Sequence, residues 1–293
     1  MTIKHILEEK KLTVSLEVFP PKVQSKFDSV LQAARELSAL KPDFMSITYG
    51  AGGTTRGNTV EVAAGIQESG TPALAHLTCV GNTRADVAAA AALMKQHHIE
   101  NVLALRGDKP QGFTGEKATV DGLDHASDLV QLLKAEGFCV GGACYPEGHP
   151  ESANRSEDID NLRFKVDAGV DFLTTQMFFD NNMLYSYLYR LQNKGIRVPV
   201  LAGIMPITNS QQVERMVKLS SAYIPAKLLS ICDRFADKPD AMRQAGIAYA
   251  VDQIIDLISN GVRGIHIYTM NKPSVARDIL SSIDAIVAAS NSR

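Results

Sequence analysis

The sequence predicts an α/β protein, a closed (β/α)8 TIM barrel with an extra helical insertion before its last strand, and three observations carry that reading. Short apolar or β-branched runs recur eight times along the 293 residues. Segments of helical period separate them. Runs such as VLALR and FLTTQ are also too continuously apolar for a half-exposed antiparallel sheet, which points to parallel strands covered outside by helices. Length alone does not choose between one large domain and two medium ones, so the pattern decides.

The eight candidate strands are Thr13 to Phe19, Asp43 to Thr48, Pro72 to Thr78, Asn101 to Arg106, Phe138 to Cys144, Asp171 to Gln176, Val198 to Ile204 and Arg263 to Tyr268. Between them, apolar residues fall at i, i+3, i+4, as in Phe27, Val30, Leu31, Ala34 and Leu37, or Val275, Ile279, Leu280, Ile283 and Val287. Ser25 with Asp28 and Thr83 with Asp86 read as capping boxes, and Gly137, Gly169 and Gly195 follow helical stretches where a C-terminal cap sits. From about Thr208 to Val262 two or three helices intervene before the last strand, an insertion on the barrel rim. No Pro- or Ser-rich linker or repeat divides the chain, so residues 1–293 are expected to be one catalytic domain.

A formal charge of −2 with 45% hydrophobic and 21% charged residues offers no handle for nucleic acid or anionic lipid. Met1 to Leu12 lacks the apolar core of a leader, and no run reaches a membrane span, so a cytoplasmic location is expected. Cys79, Cys139, Cys144 and Cys232 show no C-x-x-C pairing, and Cys139 and Cys144 fall on opposite faces of one strand. They are expected as buried, inert thiols. His76 and His149 have no zinc spacing, and no metal site is expected.

In such a barrel the loops after the strands build the active site. The residues there are Glu17; Thr48 and Tyr49; His76 and Thr78; Arg106 and Asp108; Tyr145, Glu147 and His149; Gln176 and Asp180; Tyr268 and Asn271. Glu17 stands inside the apolar run VSLEVF, just before the Pro20-Pro21 pair that ends it. Burial should raise its pKa and let it act as a general acid; the alternative is a carboxylate satisfied by backbone donors or an Arg within the barrel. The glycine-rich stretch Gly50 to Gly57 is either a close-approach loop for a planar ligand or phosphate, or plain flexible loop. Arg106 and Asp108 stand side by side, either to meet a ligand with amide and amine donors or to close the loop as an ion pair. Asp158, Asn161 and Lys165 share a helix face, which either grips cofactor oxygens or faces solvent.

Several stretches in order, LEVFPPK, SITYGAGGTTR, AHLTC, ALRGDKP, YPEGHPE, KVDAGVDFLTTQMFFD, GIMPI and HIYTMNK, resemble the short bacterial 5,10-methylenetetrahydrofolate reductases over nearly the whole chain. The resemblance implies a barrel with noncovalent FAD and no separate regulatory domain. It implies that Glu17 is the general acid that protonates a folate ring nitrogen, and that Asp108 is the carboxylate set between flavin and pterin. It further implies flavin contacts at Tyr49, Ala51, His76, Arg106, Gly107, Ala126, Tyr145, His149, Asp158, Asn161 and Lys165. Nicotinamide contacts fall at Thr48 and Gln176, and folate contacts at Gln176, Gln212 and Lys272. The expected reaction passes a hydride from NADH or NADPH through the flavin N5 to methylenetetrahydrofolate, the two substrates using one site in turn. A homo-oligomer is expected on the resemblance alone.

Three departures stand out. Phe164 takes the place of a basic residue facing the cofactor phosphates, Lys272 replaces an Arg and loses its bidentate fork, and Met216 stands where an aromatic stacks on substrate. Two rival readings share the pocket: another barrel flavoenzyme of the proline dehydrogenase type, and a non-catalytic folate- or flavin-binding module.

Overall fold

The computed structural model describes residues 1–21, 23–49, 56–108, 119–213 and 222–292. Strands β1 Thr13–Val18, β2 Phe44–Ile47, β3 Ala73–Thr78, β4 Asn101–Leu105, β5 Cys139–Cys144, β6 Phe172–Thr175, β7 Val200–Ile204 and β8 Gly264–Tyr268 pair in parallel, each with the next. β8 closes on β1 with His266 opposite Ser15 and Tyr268 opposite Glu17. The eight expected runs are thus the eight strands, trimmed by one or two residues at their ends. The described helices are α1 Ile3–Glu9, α2 Phe27–Ser38, α3 Arg56–Glu68, α4 Arg84–Gln96, α5 Ala126–Ala135, α6 Arg155–Asp167, α7 Asn181–Asn193, α8 Ala226–Phe235, α9 Pro239–Ser259 and α10 Pro273–Asn291.

The pleat divides each strand between two cores. Outward residues such as Leu16, Met45, Ile47, Val102, Val140, Ile204 and Ile265 join the helices' apolar faces in the main cluster. Inward residues Phe44, Leu74, Leu103, Cys139, Phe172 and Leu201 fill the N-terminal end of the barrel, where Ile3 and Leu7 of α1 pack onto them. The sequence reading assigned no element to residues 1–12. The helix forms there because Ile3, Ile6 and Leu7 share a buried face, with the Ile3 amide donating to Asn101 Oδ1 at 2.7 Å. Cys139 therefore faces inward and Cys144 outward, as the spacing required.

Thr83 and Asp86 form the reciprocal capping box, and Gly137, Gly169 and Gly195 end their helices at φ +87°, +104° and +72°. Ser25 with Asp28 does not cap α2: a 3-10 turn over Gln24–Lys26 puts Lys26 at the N-cap, which makes no side-chain cap bond.

The expected insertion between β7 and β8 contains α8 and α9. It builds a separate cluster in which Leu228, Cys232 and Met242 cover Met177, Phe179, Met205 and Ile207, the residues just past β6 and β7. The insertion thus roofs one side of the C-terminal rim. Among the described residues, no helix is long and apolar enough to cross a membrane.

Candidate active site

Inward parity also places the polar residues. Starting from Thr13, β1 turns Ser15 and Glu17 into the barrel; β2 contributes Ser46, β3 His76 and β8 His266, all buried. These occupy the layer above the apolar plug, on the β8-β1-β2-β3 side. The register runs from His76 to Leu103, Gly141 and Phe172 on β4, β5 and β6, where the inward residues are apolar or glycine.

Glu17, 5% exposed, accepts at Oε2 from Ser46 Oγ at 3.0 Å. His266 Nε2 lies 3.3 Å and His76 Nε2 3.5 Å from the same oxygen. Burial raises the pKa of Glu17, as expected, and is the largest single effect. The His266 hydrogen bond, the charges of His76 and His266 and the Ser46 hydrogen bond together outweigh it and leave the carboxyl below its ordinary value. The expectation of a net upward shift is therefore corrected. The partners are two imidazoles and a serine, in place of the backbone donors or Arg weighed from sequence. Burial pushes His76 down to about 4, against the pull of Glu17, so it is neutral at neutral pH.

The strand end is clamped from behind. Thr269 Oγ1 donates to the Glu17 carbonyl at 2.6 Å. Asn271 accepts from the Phe19 amide at 2.8 Å and donates to the Phe19 carbonyl at 2.9 Å. Met270 and Asn271 both adopt φ +54°, a left-handed turn that these bonds hold.

Around the mouth, Arg106 and Asp108 do not pair. Arg106 forms a bidentate ion pair with Glu151 at 2.6 and 3.0 Å, and Asp108 is exposed beyond Gly107. Tyr145 and His149 meet edge to face, ring centroids 4.7 Å apart. On α6 the expected stripe is graded: Asp158 is buried and accepts from Ser152 Oγ at 3.3 Å, Lys165 is half-buried, and Asn161 is exposed. Lys165 Nζ donates to the Ala143 carbonyl, and burial depresses its pKa. Phe164 is 66% exposed on the same helix. Ala126 is the first residue of α5, Tyr49 donates to Asn82 at 3.1 Å, and the Thr48 carbonyl accepts from Thr59 Oγ1. The Gln176 amide continues the ladder to the Cys144 carbonyl at 2.7 Å.

Gln212 and Lys272 come together through Thr208. Gln212 Oε1 accepts from the Thr208 amide at 2.9 Å, and Lys272 Nζ donates to Thr208 Oγ1 at 3.3 Å. Ala51 and Met216, and with them most of the glycine-rich loop, lie outside the described residues. Sequence reasoning missed Ser46, His266 and Thr208 as site residues. For the first two a signal existed: His266 shares inward parity with Tyr268, and Ser46 with Thr48. The four cysteines are free and buried, and burial lifts the Cys79 and Cys144 thiols to about 12, so neither is a thiolate nucleophile.

These features define a (β/α)8-barrel protein with a buried carboxylate-imidazole network beneath a polar C-terminal mouth. The family model for methylenetetrahydrofolate reductase matches residues 2–284, and the chain belongs to that family of oxidoreductases. It is 34% identical over 275 residues to the 5,10-methylenetetrahydrofolate reductase of Escherichia coli, covering 93% of this chain and 91% of the relative. The enzyme of Pectobacterium carotovorum is 33% identical over 275 residues, with 93% and 90% covered. A probable methylenetetrahydrofolate reductase (NADH) of Oryza sativa is 31% identical over 99% of this chain, which spans 51% of the rice protein. Among solved structures, an uncharacterized Clostridium thermocellum protein that binds two copies of 5-methyl-5,6,7,8-tetrahydrofolic acid superposes with a TM-score of 0.67. It covers 99% of this chain at 14% identity, a likeness of fold.

Proposed function

We propose that the chain reduces 5,10-methylenetetrahydrofolate to 5-methyltetrahydrofolate at the expense of a reduced nicotinamide, with FAD as the noncovalent cofactor and residues 1–293 acting as one catalytic unit. The observation that carries this reading is Glu17, a buried carboxyl that shares its oxygen with Ser46 and His266 in the barrel's polar layer. A carboxyl so placed stands where the one step of this reduction that needs an acid takes place, opening the methylene bridge by protonating the ring nitrogen that leaves it, and it must take up a proton for that step because its partners favour its ionised form.

The donor set fits a flavin dinucleotide. Lys165 and Arg106 supply positive charge at the mouth, Asn161 and His149 add hydrogen-bonding groups, and the buried Asp158 accepts from sugar hydroxyls. Within the described residues, Lys165 has no carboxylate in ion-pair reach and His76 Nε2 has no hydrogen-bond partner, so both retain capacity for a ligand. When bound, FAD supplies a two-electron carrier between nicotinamide and folate. The remaining roles belong to the chain. Asp108 accepts from the pterin's amide and amine donors, Gln176 faces each substrate in turn, and Gln212 with Lys272 holds the folate beside Thr208. NADH is the donor to test first, because the rice relative is named for it.

The test is anaerobic. The holoprotein is mixed with NADH and then with methylenetetrahydrofolate while the flavin's visible absorbance is followed. Bleaching and recovery are expected. Bleaching without recovery removes the folate substrate, and a protein that binds no FAD removes the cofactor. Glu17→Gln should leave bleaching intact and slow recovery by about a hundredfold or more; equal loss in both halves overturns the role of Glu17.

A further inference from the structure

Between β6 and β7 the barrel wall is not closed by backbone alone. The parallel register sets Leu173 opposite Val200 and Thr174 opposite Leu201, and stops there. On its other edge β6 stays paired one residue further, with Thr175 opposite Cys144 and the Gln176 amide donating to the Cys144 carbonyl at 2.7 Å. Continued by one step, the β6–β7 ladder would carry a bond from the Gly203 amide to the Thr175 carbonyl. The Gly203 amide donates instead to the side chain of that residue, Thr175 Oγ1, at 2.8 Å. Thr175 is 1% exposed, so a carbonyl that has lost its ladder donor needs another.

The donor comes from two strands away. Tyr268 ends β8, and its hydroxyl reaches across β7 to the Thr175 carbonyl at 2.6 Å. It crosses at Gly203. A Cβ there would stand 2.5 Å from the Thr175 carbonyl oxygen, 2.6 Å from the Tyr268 hydroxyl and 2.8 Å from its Cε2, and the carbonyl, being backbone, cannot swing aside. Leu201 of β7 faces inward, so position 203 does too, and the phenol ring takes the space a side chain would fill. His266, the preceding inward residue of β8, meets the ring edge-on with centroids 5.4 Å apart and braces it from below.

We infer that Tyr268 is a positioning residue for Gln176: by capping the carbonyl that the ladder leaves open, it fixes the last peptide of β6 and so the direction in which Gln176 enters the mouth. The inference rests on the reading of Gln176 as the residue that faces each substrate. The peptide joining Thr175 to Gln176 is held by both its polar atoms, its carbonyl by Tyr268 and its amide by Cys144. A planar unit gripped on both edges cannot rotate. One residue on, the Met177 amide donates to Gln176 Oε1 at 3.0 Å. A backbone N–H meets only the oxygen of that side-chain amide, so the NH2 group remains for a ligand, and the matching ligand group is an acceptor such as a carbonyl. Without the tyrosine hydroxyl the peptide keeps its Cys144 bond alone and tilts, and the NH2 group no longer meets its acceptor at a fixed angle. Both substrates lose by the same route, because both use Gln176.

Three measurements decide the matter, all with Tyr268→Phe, which keeps the ring and removes only the hydroxyl. Without substrate, hydrogen exchange read by mass spectrometry over residues 172–178 should quicken roughly tenfold, while β3 and β4 exchange as in the wild type. Equal exchange at β6 in the two proteins overturns the inference. In the FAD-loaded protein the variant should raise the half-saturating concentrations of NADH and of methylenetetrahydrofolate by a similar factor, roughly fivefold, and leave the saturated rates of both half-reactions nearly unchanged. A loss confined to the folate half would place the effect on Glu17 through His266 and overturns the inference. A double-mutant cycle isolates the route: in a Gln176→Ala background, Tyr268→Phe should add nothing to either half-saturating concentration, and full additivity overturns the role. A wild-type protein whose flavin never reoxidises with methylenetetrahydrofolate sinks the assigned reaction, while exchange at β6 and the NADH arm still read the part played by Tyr268.

Discussion

Arg106 is gripped on both prongs of its guanidinium by Glu151, at 2.6 and 3.0 Å, although Asp108 lies only two residues away. The pair ties the loop after β4 to the loop after β5, and it fixes the direction of a cation at the mouth. Its side chains are 28% and 45% exposed, so as a stabilising contact it contributes at most about 1 kcal/mol. Under the proposed function its larger effect would be on cofactor binding, because an aligned fork loses less freedom when it meets an anion. Glu151→Gln should leave the melting temperature nearly unchanged and weaken FAD binding roughly fivefold, about 1 kcal/mol of positioning. Fluorescence titration of the apoprotein checks this, and tighter binding would mean that Glu151 competes with the cofactor.

Asn271 clasps Phe19 by both backbone groups while standing at φ +54°. Asn271→Ala removes both bonds and keeps a Cβ in left-handed backbone without the local side-chain hydrogen bonding that lets Asn tolerate it, a loss of roughly 2 to 3 kcal/mol. Asn271→Gly removes the bonds but not the conformational fit, and should be the more stable of the two by about 1 kcal/mol. Denaturant unfolding distinguishes them. If the two variants unfold alike, the turn is not strained. Since the clasp holds the strand end one residue beyond Val18, both variants should slow the folate half-reaction more than the nicotinamide half.

The reason the barrel could be read from the chain lies in the pleat. A strand covered on both faces must be apolar almost throughout, so VLALR and FLTTQ announced β4 and β6 without help from distant residues. Glu17 was conspicuous for the same reason, as a charge inside such a run. His266 and Ser46 escaped notice because the parity they share with Tyr268 and Thr48 marks them as inward without naming a partner. Their meaning comes from the closure of β8 on β1 and of β1 on β2, which sets Glu17 between them. The partner of Arg106 was hidden in the same way, because sequence proximity favoured Asp108 and only the fold brings Glu151 across. Ser25 shows the opposite limit: a sound local signal was overridden by the turn that leads the chain out of Pro20 and Pro21.

Helix α9 runs its backbone against the loop after β7 at Gly246. A Cβ there would stand 1.7 Å from the Ile207 carbonyl oxygen and 2.7 Å from its carbon. Helix propensity alone makes Gly→Ala in a helix interior stabilising by about 1 kcal/mol. Overpacking against backbone works the other way by about 1 to 3 kcal/mol or more, because a carbonyl cannot rotate aside like a side-chain tip. Packing should win, so Gly246→Ala is expected to lower the melting temperature. It should also raise the KM for methylenetetrahydrofolate, since Thr208, which Gln212 and Lys272 share, adjoins Ile207. A stabilised variant would show that α9 sits farther from the loop.

His76 gives the fold a pH dependence whose sign can be worked out. Its folded pKa falls from 6.5 to about 4, chiefly through burial. Above pH 6.5 the imidazole is neutral in both folded and unfolded chains and contributes no slope. Between 6.5 and 4 the unfolded chain binds the proton that the folded one refuses, so stability falls as the pH falls. Across that window the loss amounts to roughly 3 kcal/mol. His76→Gln removes the titrating group, and its stability should decline less over the same range. The comparison between the two proteins matters more than either curve, because the carboxylates titrating below pH 5 are common to both and cancel in the difference. Urea unfolding at pH 7.5, 6 and 5 measures it. Parallel curves would mean that the His76 ring already takes up its proton in the folded protein, sharing it with Glu17, and that the polar layer holds one proton more than its hydrogen bonds imply.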